Sequence, residues 1–109
     1  MNMLNIPFDV TAWENMPVTE HAGSSGKALW RIRQCGDIRV RMVEYTPGYL
    51  ADHWCEKGHI LLCMSGSLET ELADGRTFTL TAGMSYQVSD DTSPHRSSTK
   101  IGAILFIVD

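Results

Sequence analysis

At 109 residues the chain has room for one compact domain, and a chain of that size buries a little over ~60% of its extended surface on folding. Its 43% apolar and 20% charged residues exclude a disordered or fibrous chain. The formal charge of −4 excludes the Lys and Arg excess with which nucleic-acid binders neutralise phosphate, so no nucleic-acid partner is expected, whereas a small-molecule ligand is compatible.

Residues 1–27 carry Pro7, Pro17 and the run Gly23-Ser24-Ser25-Gly26 without a sustained hydrophobic period, so they read as an irregular N-terminal arm. They open with neither a basic segment nor an apolar run. The longest apolar segments, 60–64 and 103–108, fall far short of the about 20 residues a membrane-spanning helix needs. Cys35, Cys55 and Cys63 cannot all pair within one chain. The expectation is a cytoplasmic protein with no membrane partner, its cysteines free or metal-bound.

From 28 to 109 the sequence becomes a series of short β-type runs, at 29–34, 38–45, 59–65, 68–72, 77–80, 85–88, 95–99 and 103–108, broken by turn residues. Such even spacing, without a long segment of 3.6-residue period, predicts a single all-β barrel or sandwich over residues 28–109. In the first hairpin two registers compete. A two-residue Gly36-Asp37 turn pairs Ile32 with Arg41 and Arg33 with Val40, mixing charge into both faces. A three-residue Cys35-Gly36-Asp37 loop instead gathers Trp30, Ile32, Gln34, Ile38, Val40 and Met42 on one face and Arg31, Arg33, Arg39 and Arg41 on the other. The pattern selects the longer loop, with the arginine ladder either a wet outer face or a surface for an acidic partner. The same phase turns Glu44 inward, where it either reaches solvent at the barrel mouth or serves as an acid or base beside a metal.

The chemically dense stretch follows, from Pro47-Gly48 through Asp52-His53-Trp54-Cys55 to Gly58-His59. His53 and Cys55 are two apart, so in an extended segment their side chains leave on one face, about 7 Å apart at the backbone. His59 opens the next run after a bend at Gly58, and His95 opens another after Pro94. Imidazole and thiolate together suit zinc, iron, nickel or copper, and suit calcium or magnesium poorly. No zinc-finger spacing is present, so the spacing alone leaves a metal site and a set of satisfied polar residues as open alternatives. Asp52 either holds a ligand imidazole or is solvated. Cys63, in phase with His59 and Leu61, is expected in the core, and one of Tyr86 and Gln87 is expected to line the interior.

The dense stretch resembles the first cupin motif, a Pro-Gly turn, a His-x-His pair, an acidic ligand a few residues on, then an apolar strand ending in Gly, here Gly66. The run Gly83-Met84-Ser85-Tyr86-Gln87-Val88 with Pro94-His95 resembles the second, in which a Gly-led strand passes through a short loop to a final His. The resemblance covers 38–99 and is nearest to the small cupins named for an Asp-His-Cys-Trp cluster, although the order here is Asp52-His53-Trp54-Cys55. It implies a cupin-type double-stranded β-helix, or jelly-roll barrel, holding one divalent transition metal near its open end, with zinc the first candidate and iron or nickel the others. The implied ligands are His53, His59 and His95, with Cys55 as fourth. Cys55 stands where the second motif His falls and His59 where the Glu falls, which makes the set softer and more zinc-like. Three functions follow. One is a metal-dependent small-molecule enzyme of oxygenase or isomerase type, with His53, His59 and His95 as a three-His centre, Cys55 displaced or merely nearby, and Glu44 or Tyr86 moving protons. The second is a non-catalytic metal or ligand-binding module closed by four ligands. The third is an accessory or interaction domain that uses the fold as a scaffold, the metal being incidental. Because 60–64 and 103–108 are apolar on both faces and a barrel has only one inside, the outer face is expected to be covered by a second subunit, giving a homodimer, or by the N-terminal arm.

Overall fold

The computed structural model describes residues 3–109, so the expected arm over 1–27 begins two residues outside them. Eight strands follow one another: β1 Thr19–Ala22, β2 Lys27–Cys35, β3 Ile38–Tyr45, β4 His59–Leu72, β5 Thr77–Thr81, β6 Ser85–Val88, β7 His95–Ser98 and β8 Ala103–Val108. Among the described residues the one helical element is a 3-10 turn at Trp13–Asn15, and no helix is long and apolar enough to cross a membrane. The all-β architecture expected from the turn spacing is what forms.

Strand β4 joins the two halves of the barrel. Its first part pairs with β8 and β6 and its second with β5 and β7, so the runs expected separately at 59–65 and 68–72 are one 14-residue strand. A register shift between Cys63 and Ser65 marks where it changes sheet, as an extra residue bends and twists the strand that carries it. Gly66 follows with φ of 77°, and a Cβ there would run into the Gly102 carbonyl. Only glycine tolerates both the left-handed backbone and the close approach. Strands β1, β2, β3 and β8 complete the other sheet, with β1 on the β2 edge. The arm is therefore not wholly irregular, since Thr19–Ala22 form β1, Lys27 opens β2 and His21 stacks on Trp30 with ring centroids 3.9 Å apart.

Two-residue alternation sends one face of each strand into the barrel. Val43, Leu61, Cys63, Leu68, Leu105 and Ile107 meet there, each at most 2% exposed. A fully buried aliphatic side chain of this kind contributes roughly 1.5–3 kcal/mol. Cys63 lies in this core, as its phase with His59 and Leu61 required.

The first hairpin differs from expectation. Cys35 pairs with Ile38 and Ile32 with Arg41, so the loop is the two-residue Gly36-Asp37 turn. Gly36 has φ of 58°, which fits the preference of tight hairpins for glycine at the first turn position. Because the side-chain period is two, moving the register by one residue turns the whole strand over. Arg39, Arg41, Val43 and Tyr45 share the inward face, and Arg41 is only 7% exposed. Glu44, expected inward, is exposed on the opposite face beside Leu29 and Ile104. The mixed faces that argued against the short turn are tolerated because the buried guanidinium has partners. Arg41 Nη2 donates to Asp109 Oδ2 at 2.9 Å, and its guanidinium lies 4.5 Å from the Trp30 ring centroid.

Candidate metal centre

Two loops and two strand starts bring the donors together. The backbones of Cys55 and His95 bond in both directions, Cys55 N–H to the His95 carbonyl at 2.7 Å and His95 N–H to the Cys55 carbonyl at 3.0 Å. Loop 56–58 is pinned to loop 89–91, where Gly58 N–H donates to Asp90 Oδ1 at 2.6 Å and Asp91 N–H to the Glu56 carbonyl at 2.8 Å. His59 leaves that loop as the first residue of β4 and points into the barrel in phase with Leu61. The result is one cluster, in which a sulfur of Cys55 and a nitrogen each of His59 and His95 lie within 4.8 Å of one another.

The ring nitrogens are oriented for a ligand. His95 Nδ1–H donates to the Ser93 carbonyl at 2.9 Å, which leaves the Nε2 lone pair aimed at the cluster. That Nε2 is 3.1 Å from His59 Nε2, with the two rings nearly perpendicular at 83°. Two lone pairs at that distance repel unless a proton or a cation lies between them. Nitrogens about 2.0–2.1 Å from one ion, at ordinary coordination angles, are separated by about 3 Å, so the spacing fits two ligands of a single metal. Pairing with His95 holds the Cys55 thiol below its ordinary pKa against the opposing effect of burial, and the same pairing raises His95. The thiolate form is the one that binds metals.

Behind His59 sits a carboxylate. Asp109 Oδ2 is 3.7 Å from His59 Nδ1, and the same side chain accepts from Arg39 at 2.9 and 3.1 Å. Burial pushes the Asp109 carboxyl up, but His59, Arg39 and Arg41 together outweigh it and hold the group well below the usual carboxylate range. On the other side the Tyr86 hydroxyl lies 2.8 Å from His59 Nε2. Burial pushes the Tyr86 phenol far up, so it stays neutral.

Of the four implied ligands, then, the structure brings together Cys55, His59 and His95. It does not bring His53 to them. The His53 side chain is 71% exposed at the mouth, with Nδ1 2.7 Å from Asp52 Oδ1. Asp52 thus holds an imidazole, but one on the rim. Tyr86 is the inward residue of its strand and Gln87 faces out, since Tyr86 pairs with buried Leu61 and Gln87 with exposed Ile60. Glu44 takes no part. Replacing His53 with alanine is accordingly expected to change metal affinity less than about tenfold, below the loss typical of even an indirect ligand partner. Competition against a chromophoric chelator measures it; a larger loss would show that the ring swings inward to ligate.

The cluster forms part of the wall of a cavity of about 430 Å³ lined also by Trp30, Arg41, Tyr45 and Tyr49. A second, more apolar cavity of about 340 Å³, walled by Leu72, Phe78, Leu80 and Met84, also touches Tyr86 and His95. Arg41 and Asp109 are the residues that sequence reasoning missed, while Trp30 lies on the face expected to point inward. The two-residue turn signal at Gly36-Asp37 carried Arg41. The alternation Ala103, Leu105, Ile107, Asp109 carried Asp109.

No protein-family model and no curated protein matches the sequence. Solved structures do match it. An RmlC-like cupin from Shewanella frigidimarina NCIMB 400 superposes with a TM-score of 0.72 at 16% identity, covering 96% of this chain and 92% of that one. Ectoine synthase from P. lautus matches with a TM-score of 0.75 at 17% identity, over 93% of this chain and 76% of that one. An Fe(II) HppE, solved with an alternative substrate, matches with a TM-score of 0.77 at 12% identity; the match takes in 94% of this chain but 60% of HppE. Likeness at such identities is likeness of fold, and together with the eight-strand barrel and the motif placement it makes this chain a small cupin-fold protein.

Proposed function

We propose that this chain is a metal-dependent small-molecule enzyme, with Cys55, His59 and His95 holding one divalent transition metal ion. The observation that carries the reading is the meeting of three convergent donors with a cavity of about 430 Å³ on their open side. Three protein ligands leave a position free, as catalytic sites do, whereas a closed structural site takes four. The exposed His53, with Asp52 on its ring, speaks against the closed four-ligand alternative. The donor set fits such an ion, being one thiolate and two imidazoles with His95 already fixed in the ligating tautomer. Zinc and iron(II) are the first candidates: the thiolate favours zinc, and the similarly folded HppE is an Fe(II) protein solved with a substrate.

When bound, the ion supplies Lewis-acid activation at its free position. The chain supplies the rest. Asp109 backs the His59 ring at 3.7 Å, and the neutral Tyr86 hydroxyl, its oxygen 2.8 Å from His59 Nε2, holds a proton within reach of a ligand in the cavity. Metal analysis of protein purified without chelator is expected to find about one equivalent of zinc or iron per chain, reduced in Cys55→Ser. Protein that takes up no metal even when offered it overturns the reading.

A second copy of the chain is proposed as partner. Exposed Ile60, Leu62 and Met64 on β4 adjoin Ile104 and Phe106 on β8, and apolar stripes of this kind favour association. Trp13 of the arm covers part of it, edge-on to Phe106 at 6.5 Å. Sedimentation at micromolar concentration is expected to give a dimer, and Ile60→Glu a monomer. A wild-type chain that stays monomeric at high concentration contradicts this.

A further inference from the structure

The cavity beside the Cys55, His59 and His95 donors contains a cation whose bonding is incomplete. Arg41 is 7% exposed and lines that cavity, yet its Nε is buried with no hydrogen-bond partner. Its neighbours explain why it is stable but not why it is unsatisfied. Asp109 takes bonds from both Arg41 and Arg39, so two guanidiniums share one carboxylate and the wall retains a net positive charge. A buried donor left unpaired is costly; among the described residues Arg31 Nε, His59 Nδ1 and Thr70 Oγ1 share that state, and Arg41 is the arginine among them that lines this cavity. Around it stand aromatic groups. Trp30 lies under the guanidinium, and Tyr45 and Tyr49 stack with centroids 4.2 Å apart. Burial raises both phenols, Tyr49 to about 12, so their hydroxyls are neutral donors rather than competing anions.

From this we infer that the cavity takes a small organic carboxylate, its anionic oxygen on the part of the Arg41 guanidinium that lines the cavity and its carbon skeleton against Tyr45 and Tyr49. The inference deepens the reading of this cavity as a small-molecule site. The charge excludes a cationic ligand from the inner wall, and the flat aromatic surfaces favour an unsaturated or ring-bearing acid. A volume of about 430 Å³ lies within the ordinary range for small-ligand sites. The arrangement also relates the two subsites. Asp109 Oδ2 is 2.9 Å from Arg41 and 3.7 Å from His59, so a single carboxylate separates the anion subsite from a ligating ring. A ligand anchored at Arg41 can present a second polar group to the cluster.

Benzoate, benzamide and inorganic phosphate serve as probes, titrated into the full chain in metal-loaded and chelator-treated forms. The readout is the Arg41 Nε–H cross-peak in a nitrogen–proton correlation spectrum, assigned by its absence in Arg41→Lys. That variant keeps a positive charge beside Asp109. Benzoate is expected to shift the cross-peak saturably in both forms, with benzamide at least tenfold weaker; by isothermal calorimetry, which does not need that peak, Arg41→Lys is expected to bind benzoate about ten- to a hundredfold less tightly than the unaltered chain, the range for a charge-assisted hydrogen bond. Equal binding of benzoate and benzamide overturns the inference, as does a larger response to phosphate. Benzoate binding only to metal-loaded protein, with Arg41 unmoved, also overturns it while leaving the metal reading intact. Should no metal bind but Arg41 still report benzoate, the carboxylate site stands and the metal reading falls.

Discussion

Replacing His95 with alanine is expected to lower affinity for a divalent transition metal by at least about a hundredfold, since even residues that only orient a ligand cost 10–100-fold when lost. His95 is the best-prepared donor in the molecule. Its Nδ1–H is committed to the Ser93 carbonyl at 2.9 Å, its backbone is bridged to Cys55, and the residue is only 3% exposed. Alanine removes the imidazole while keeping those backbone bonds. Far-ultraviolet circular dichroism unchanged beside lost metal is the predicted pairing. Retained metal would mean that the ion sits elsewhere.

The second large effect is on stability. Asp109→Asn is expected to destabilise the fold by about 3 kcal/mol, the low end for breaking a buried ion pair, because Arg41 is then left buried without its counter-charge. The Asp109 side chain has no exposed surface and that of Arg41 8%, whereas Arg39 keeps 29% of its own and can find water. Arg39→Gln should therefore cost less, roughly 1 kcal/mol. Urea unfolding measures both, with the midpoint moving and the slope unchanged. An unaltered midpoint for Asp109→Asn would show that the carboxylate is not what makes the buried guanidinium tolerable.

Most of the barrel was legible from turn spacing, because Gly and Pro punctuate the chain where strands must end and because alternation survives in the buried runs. The bounds of β3, β6 and β8 follow directly. The two runs of β4 read as separate strands because Gly66 breaks the pattern where the strand changes sheet, which composition cannot distinguish from a turn. The hairpin register was misjudged for a definite reason. Sorting charge from apolar residues assumes that arginine stays wet, and here Asp109, distant in sequence from Arg41, removes that constraint. The error in Glu44 is the same error. Once Arg41 is inside, period two puts Glu44 outside. In the site, the convergence of Cys55, His59 and His95 was legible from spacing together with motif likeness. His53 was not separable from them, since its direction depends on a loop conformation and on the neighbouring Asp52.

X-ray absorption, at the edge of whichever divalent transition metal the purified protein takes up, tests the central claim most directly. One sulfur near 2.3 Å and two imidazole nitrogens near 2.0–2.1 Å, with the remaining positions filled by light atoms, is the predicted shell. A spectrum without the sulfur, or with oxygen ligands alone, would contradict it.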